Sequence, residues 1–303
     1  MSNFLLQGLM SKRIRGSEPT TWTARTSGFG AARVYSVGYD GTYWAIFGTS
    51  NVIRTATDAT STWTLNSTGT IPANVDDVKF NGSIWVCAGS SAELSTTTTP
   101  AGAWTARTSS FGGGETIDAV AYSDSLWTAF SSYQKIGTAS DATSTWTQRT
   151  PPAFAMYYGE FGNSTWVAVG AGGNLYTSSD PVAGSWTSRT SSFSTSVIYG
   201  IVYGGGLFTA VGASGKLATA SSAVGTWTQR TSSFGADTVY RVANNSNFFV
   251  AVGAAGKIGT TSSATGTWTQ RTSNLGGNFA YCVAHGGGVW VAGADAGALS
   301  TGV

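Results

Sequence analysis

Few residues in this chain have the chemistry to cleave or transfer a group. Glutamate occurs only at Glu18, Glu93, Glu115 and Glu160, and histidine only at His285. A glycosidase needs two carboxyls at a fixed separation across the scissile bond. The pair that merits testing is Glu160 with Glu115 or Asp118. His285 needs an orienting acid to serve as a general base, and none stands beside it in sequence. One histidine and two cysteines, Cys87 and Cys282, cannot by themselves build a zinc site. The segment Gly212-Ala213-Ser214-Gly215-Lys216 has the composition of a phosphate loop, but it lies between two strand-like runs and opens no helix. A more regular feature is a series of arginines, Arg25, Arg107, Arg149, Arg189, Arg230 and Arg271, each three residues after a tryptophan.

What these side chains can do depends on the elements that carry them, and those elements repeat. A Trp-Thr-x-Arg-Thr string or a near relative recurs with its tryptophan at Trp22, Trp63, Trp104, Trp146, Trp186, Trp227 and Trp268, the second copy having Asn66 in place of arginine. The spacings are 41, 41, 42, 40, 41 and 41 residues. Each unit also holds a second bulky aromatic, at Trp44, Trp85, Trp127, Trp166, Phe208, Phe249 and Trp290. Four short β-favouring runs separated by Gly- and Ser-rich turns make up each unit. Four strands in about 40 residues is the arithmetic of a β-propeller blade. The first Trp string precedes any complete unit and the last unit lacks one. An all-β, seven-bladed propeller of four-stranded blades follows, closed by the amino-terminal strand completing the last blade beside Ala298–Val303. Residues 21–303 form this ring and residues 1–20 an amino-terminal arm.

This scheme assigns positions to the chemistry. The arginines fall on the outermost strands, spread around the rim, where hydrogen bonding between blades or edge protection is expected of them. Glu160 lies on an inner strand beside Phe161, with Tyr157 and Tyr158 nearby. His285 occupies a position filled elsewhere by Tyr39, Phe80, Tyr122, Phe161, Tyr203 and Asn244, and so reads as packing. Cys87 and Cys282 fall in blades separated by another, so two free, buried thiols are expected. The repeated tryptophans read as core between blades. Phe29, Phe111, Phe193 and Phe234, with Leu275 as a fifth equivalent, sit on connections; they either tuck between blades or form an exposed apolar ring that marks an interface.

The loops before the Trp strings, Thr57-Asp58-Ala59-Thr60-Ser61-Thr62-Trp63 and Ser140-Asp141-Ala142-Thr143-Ser144-Thr145-Trp146, resemble a degenerate Asp-box, the hairpin of sialidase-like (BNR-repeat) propellers. Thr60 and Thr143 stand where that family has glycine; Ser222 and Ser263 take the Asp position in two later units, and Asp180 is displaced by one residue. In sialidases three arginines converge on a carboxylate substrate, whereas arginines on the rim cannot meet at one ligand. The fuller pattern, Trp-Thr-Gln-Arg-Thr-Ser-Ser-Phe-Gly followed by a Trp-Val-Ala-Val-Gly strand, also resembles propeller repeats in bacteriophage structural and tail-associated proteins, and that resemblance implies a virion protein.

Composition narrows the classes further. Lys plus Arg is 16 and Asp plus Glu is 14, and charged residues are 10% of the chain against roughly 25% in an average soluble domain. A net charge of +2 offers no electrostatic footprint for nucleic acid. No apolar run is long enough for a membrane-spanning helix. The arm places its apolar residues, Phe4, Leu5, Leu6, Leu9 and Met10, before its basic ones, among them Arg13 and Arg15. That order is the reverse of a secretory signal. The expectation is synthesis in a host cytoplasm, no cofactor, and a non-enzymatic virion propeller fixed to other virion proteins through residues 1–20, with a host cell-surface glycan as a further partner. A lectin-like propeller is the alternative, and a glycosidase a more distant one.

Overall fold

The computed structural model describes residues 18–66, 69–123 and 125–303. They form seven four-stranded antiparallel sheets, each a blade. Blade 1 runs outward through Val34–Tyr39, Trp44–Gly48, Ile53–Ala56 and Thr64–Asn66. The inner strands of the next five blades are Val75–Phe80, Ala119–Ser123, Met156–Gly162, Ile198–Gly204 and Val239–Asn244. Blade 7 takes Ala280–Gly286, Val289–Ala294 and Ala298–Gly302 from the carboxyl-terminal part of the chain and Trp22–Thr26 from the amino-terminal part. Trp22 pairs with Gly302 and Thr26 with Ala298, so the amino-terminal strand closes the ring as the repeat arithmetic requires.

The core lies between the blades. Each of the seven blade–blade junctions has its own apolar cluster. One joins Phe47 and Ile53 of blade 1 to Val75, Trp85 and Trp104 of blade 2; another joins Val291 and Leu299 of blade 7 to Val34 and Trp44 of blade 1. A β-blade is apolar on both faces here, and face-to-face packing in a circle removes both from water. Cys87 and Cys282 are free and buried in two of these clusters. Burial pushes the Cys282 thiol up to about 12, in keeping with an inert side chain.

The connections have one recurring lock. Ser27, Ser191 and Ser232 donate to the carbonyls of Gly297, Gly173 and Gly215, at 2.6, 2.5 and 2.6 Å. The same hydroxyls accept the N–H groups of Phe29, Phe193 and Phe234. Gly215 stands at φ +64°, and a side chain there would collide with the Gly235 carbonyl. The lock turns each aromatic inward. Phe29, Phe111, Phe193, Phe234 and Leu275 are all buried, in clusters between blades. They are packing residues, and the exposed apolar ring considered as an interface does not form.

Candidate functional site: the tyrosine collar of the channel

The inner strands surround a channel. At one end, on the face carrying the connections between blades, the inner strands of blades 1, 2, 4, 5, 6 and 7 each have a register irregularity at their second residue. An extra residue in one strand breaks the alternation and re-aims a side chain. The residues at this point are Tyr35, Asp76, Tyr157, Tyr199, Tyr240 and Tyr281; Asp118 holds the equivalent place just before the blade 3 strand. All seven are half-buried. They line one cavity of about 260 Å³ with Arg241.

The five tyrosines form a continuous collar. Ring centroids are 5.9 Å apart for Tyr157–Tyr199, 5.3 Å for Tyr199–Tyr240, 5.1 Å for Tyr240–Tyr281 and 5.3 Å for Tyr281–Tyr35. Phe279, itself exposed, leans on Tyr240. One end of the collar is fixed. Arg33 pairs with Asp295 at 2.6 Å and donates to the Tyr35 hydroxyl at 2.9 Å, while the Tyr281 hydroxyl donates to Asp295. Burial pushes Tyr281 up to about 12, and the Asp295 charge adds to it. The hydroxyls of Tyr157, Tyr199 and Tyr240 have no hydrogen-bond partner among the described residues.

Below the collar, charged groups cross the channel. Arg241 of blade 6 lies over the Tyr158 ring of blade 4 at 4.4 Å and donates to the carbonyls of Tyr199 and Tyr240 at 2.5 and 3.1 Å. Asp77 of blade 2 is buried and accepts the Val120 N–H at 3.0 Å. Lys79 of blade 2 reaches Glu160 of blade 4 at 3.5 Å, past the intervening blade. The Glu160 charge holds Lys79 above its ordinary value. Asp118 accepts the Ser132 N–H at 2.6 Å. Burial pushes Asp76 up to about 7 and Asp118 to about 6, with their mutual repulsion adding to the rise of Asp76.

The remaining residues singled out in the sequence have defined places. Glu115 is paired with Lys135 at 2.7 Å and Glu160 with Lys79, so each has its own cation. His285 packs on Trp290 at 4.9 Å, and burial holds it below its ordinary value. The rim arginines each donate to a threonine hydroxyl of the neighbouring strand, as Arg107 does to Thr96 at 2.8 Å. Arg25 and Arg107 also reach the Thr60 and Thr143 carbonyls in the next blade's hairpin. Asn66 makes the same crossing to Pro100 and Gly102. In those hairpins Asp58 and Asp141 accept the N–H and hydroxyl of Thr60 and Thr143, the Asx turn that an Asp-box-like loop needs. Phe4, Leu5, Leu6, Leu9, Met10, Arg13 and Arg15 lie outside the described residues. Among the described residues no group of three or more His, Cys, Asp or Glu is placed to hold a metal ion, and no helix is long and apolar enough to cross a membrane.

The sequence carries one signal of the collar that strand patterning does not reveal. Each collar residue stands nine before the second-strand aromatic of its blade, Tyr35 before Trp44 and Tyr281 before Trp290.

Comparison with known proteins supports the fold alone. No protein-family model and no curated protein matches the chain. Among solved structures it is similar to YCF48 bound to D1 peptide, at 16% identity and a TM-score of 0.75, covering 95% of this chain and 99% of that one. It is similar to the WD40 β-propeller domain of Doa1, at 11% identity and a TM-score of 0.75, over 95% and 97%. YCF48 from Cyanidioschyzon merolae follows at 15% identity and a TM-score of 0.71, over 93% and 98%. The chain is a seven-bladed β-propeller.

Proposed function

We propose that this protein is a non-enzymatic interaction propeller, a structural part of a bacteriophage particle, which holds a polypeptide partner over the collar of its channel. The observation that carries the binding role is the collar itself. Five contiguous tyrosines, three with unpartnered hydroxyls, present rigid amphipathic surface of the kind that protein interfaces use. A propeller of the same fold, YCF48, is bound to a D1 peptide. The non-enzymatic reading is supported by the pairing of Glu160 with Lys79 and Glu115 with Lys135, which leaves neither as a free acid or base. The virion role rests on the resemblance of the repeats to phage tail-associated propellers, and attachment falls to residues 1–20.

The test is to probe immobilised short peptides of diverse composition, and a panel of bacterial surface glycans, with the full-length protein and with its Tyr199→Ala/Tyr240→Ala variant. Peptide binding that the variant loses is expected. Saturable binding to glycans alone, competed by free sugar, would replace this reading with the lectin alternative. Hydrolysis of a glycan that disappears in Glu160→Gln would make the protein an enzyme. For the virion role, antibody labelling of purified phage particles should be positive, and should vanish when residues 1–17 are deleted. Unlabelled particles would refute it.

A further inference from the structure

The collar is not symmetric in charge, and this asymmetry specifies its ligand further. Five of its seven positions are tyrosine; the other two, Asp76 and Asp118, lie side by side on blades 2 and 3. Around them the channel holds four carboxylates, Asp76, Asp77, Asp118 and Glu160, against two cations, Lys79 and Arg241. Lys79 is taken by Glu160. Arg241 is anchored by two carbonyls and the Tyr158 ring, and its charge acts on Asp77, Asp76 and Asp118 together. The rim pair Arg33–Asp295 is neutral. With Arg241 shared among three carboxyls, the mouth carries an acid excess wherever Asp76 and Asp118 are ionised, that is above about pH 7. The Asp76 carboxylate makes no hydrogen bond to the described residues.

A ligand that satisfies this wall has a positive tip and an apolar stem. We infer that the collar takes a lysine or arginine side chain of the partner polypeptide, its charge between Asp76 and Asp118 and its methylenes against the rings of Tyr157, Tyr199 and Tyr240. Cations are favoured over aromatic faces and long basic side chains pack their stems on apolar surface, so both halves of the wall are used. An anion would meet the acid excess. A bare metal ion would find two carboxylates and no third ligand. The cavity, about 260 Å³, suits a side chain and not a folded domain. This inference rests on the peptide-holding role proposed above.

The test measures fluorescence polarisation at pH 8, where both aspartates are ionised, with the full-length protein and three labelled probes: a peptide of alternating glycine and lysine, the same peptide with every lysine acetylated, and one of alternating glycine and glutamate. The lysine peptide should bind saturably, with the acetylated probe at least about tenfold weaker and the glutamate probe silent. Asp76→Asn/Asp118→Asn should weaken the lysine peptide by about tenfold or more, whereas Asp180→Asn, an exposed acid away from the mouth, should leave it unchanged. The double variant is isosteric and removes two half-buried charges, so it should fold; circular dichroism checks this. Equal binding of lysine and acetyl-lysine peptides, or full binding by the double variant, overturns the inference. If those peptides bind equally and still depend on Tyr199 and Tyr240, the peptide-holding role survives and only the cation preference fails. If no peptide depends on the collar, both fail.

Discussion

Asp76 shows how a residue can be placed at odds with the stability of its own fold. Burial raises its carboxyl to about 7, with Asp118 contributing repulsion, Arg241 opposing and Asp77 adding a smaller repulsion. The unfolded chain titrates this group near 3.8, so between roughly pH 4 and pH 7 the folded state holds the extra proton and stability falls as pH rises. Above about 7 the full penalty is present. Asp76→Asn should therefore raise the melting temperature at pH 8 and have little effect at pH 4, with a gain of at most about 4 kcal/mol at the higher pH. Parallel thermal melts of the two proteins across this range check the sign; a gain that is larger at pH 4 would refute the assignment. That cost falls at the channel mouth, where the cation inferred above would offset it. Residue-level reading of the sequence missed it for a physical reason. The column falls where a bulge interrupts strand alternation, so the two-residue period of a strand does not mark it and only its constant distance from the second-strand aromatic does; that Arg241, Asp77 and Tyr158 line one channel follows from closure of blades 6, 2 and 4 into a ring. The tryptophans were legible because they sit on regular strands and recur in every unit.

Closure of the ring can be followed through single contacts on the outer strands. Arg25 and Arg107 each reach a carbonyl in the next blade's hairpin, and Asn66 does the same. Arg271 faces blade 7, where no such hairpin exists, because Ala298–Gly302 and Trp22–Thr26 come from opposite ends of the chain. Glu18 fills the gap: its carboxylate accepts from Arg271 at 2.6 Å and from the Thr260 hydroxyl at 2.6 Å. Burial alone would raise Glu18, but these hydrogen bonds and the Arg271 charge outweigh it and hold the group below its ordinary value. Its contribution is present above about pH 4.5 and is lost as pH falls through the lowered value. Glu18→Gln should thus cost on the order of 1 kcal/mol at pH 7 and nothing near pH 2, since the pair is partly exposed. Denaturant titrations at the two pH values measure both. Junction packing is worth more. Trp85 is fully buried, packs on blade 1 residues and donates its indole N–H to Asp40 of that blade at 3.1 Å. Trp85→Ala should cost about 3–5 kcal/mol, read as a shifted denaturant midpoint at constant slope; a loss under 1 kcal/mol would contradict its place in the core. The outer-strand arginines, legible as a series, acquired their individual partners only in three dimensions.

Seven junctions, each with its own apolar cluster, make a cycle in which no blade is privileged by packing. The break in the chain at blade 7 is then a matter of connectivity. The Val303 N–H donates to the Thr21 carbonyl at 3.3 Å, so the two strand ends already stand where a hairpin would join them. In blade 3 the corresponding strands, Lys135–Ala139 and Thr147–Arg149, are joined through the Asp141 turn. A permuted chain in which a copy of the Asp141–Thr145 loop links Val303 to Trp22, with new ends opened at that loop in blade 3, should fold to the same ring. Loop-closure entropy changes little, because one hairpin of equal length replaces another. What is lost is the Glu18 contact, about 1 kcal/mol by the argument above. The permuted protein should therefore melt within a few degrees of the parent, given the shallow dependence of melting temperature on small stability changes in a chain of this size. It should also keep collar-dependent peptide binding, because the new hairpin in blade 7 and the new ends in blade 3 both lie on the face opposite the collar. Insolubility or a large drop in melting temperature would show that the Trp22–Thr26 strand has a role in folding that its equivalents in the other six blades do not share.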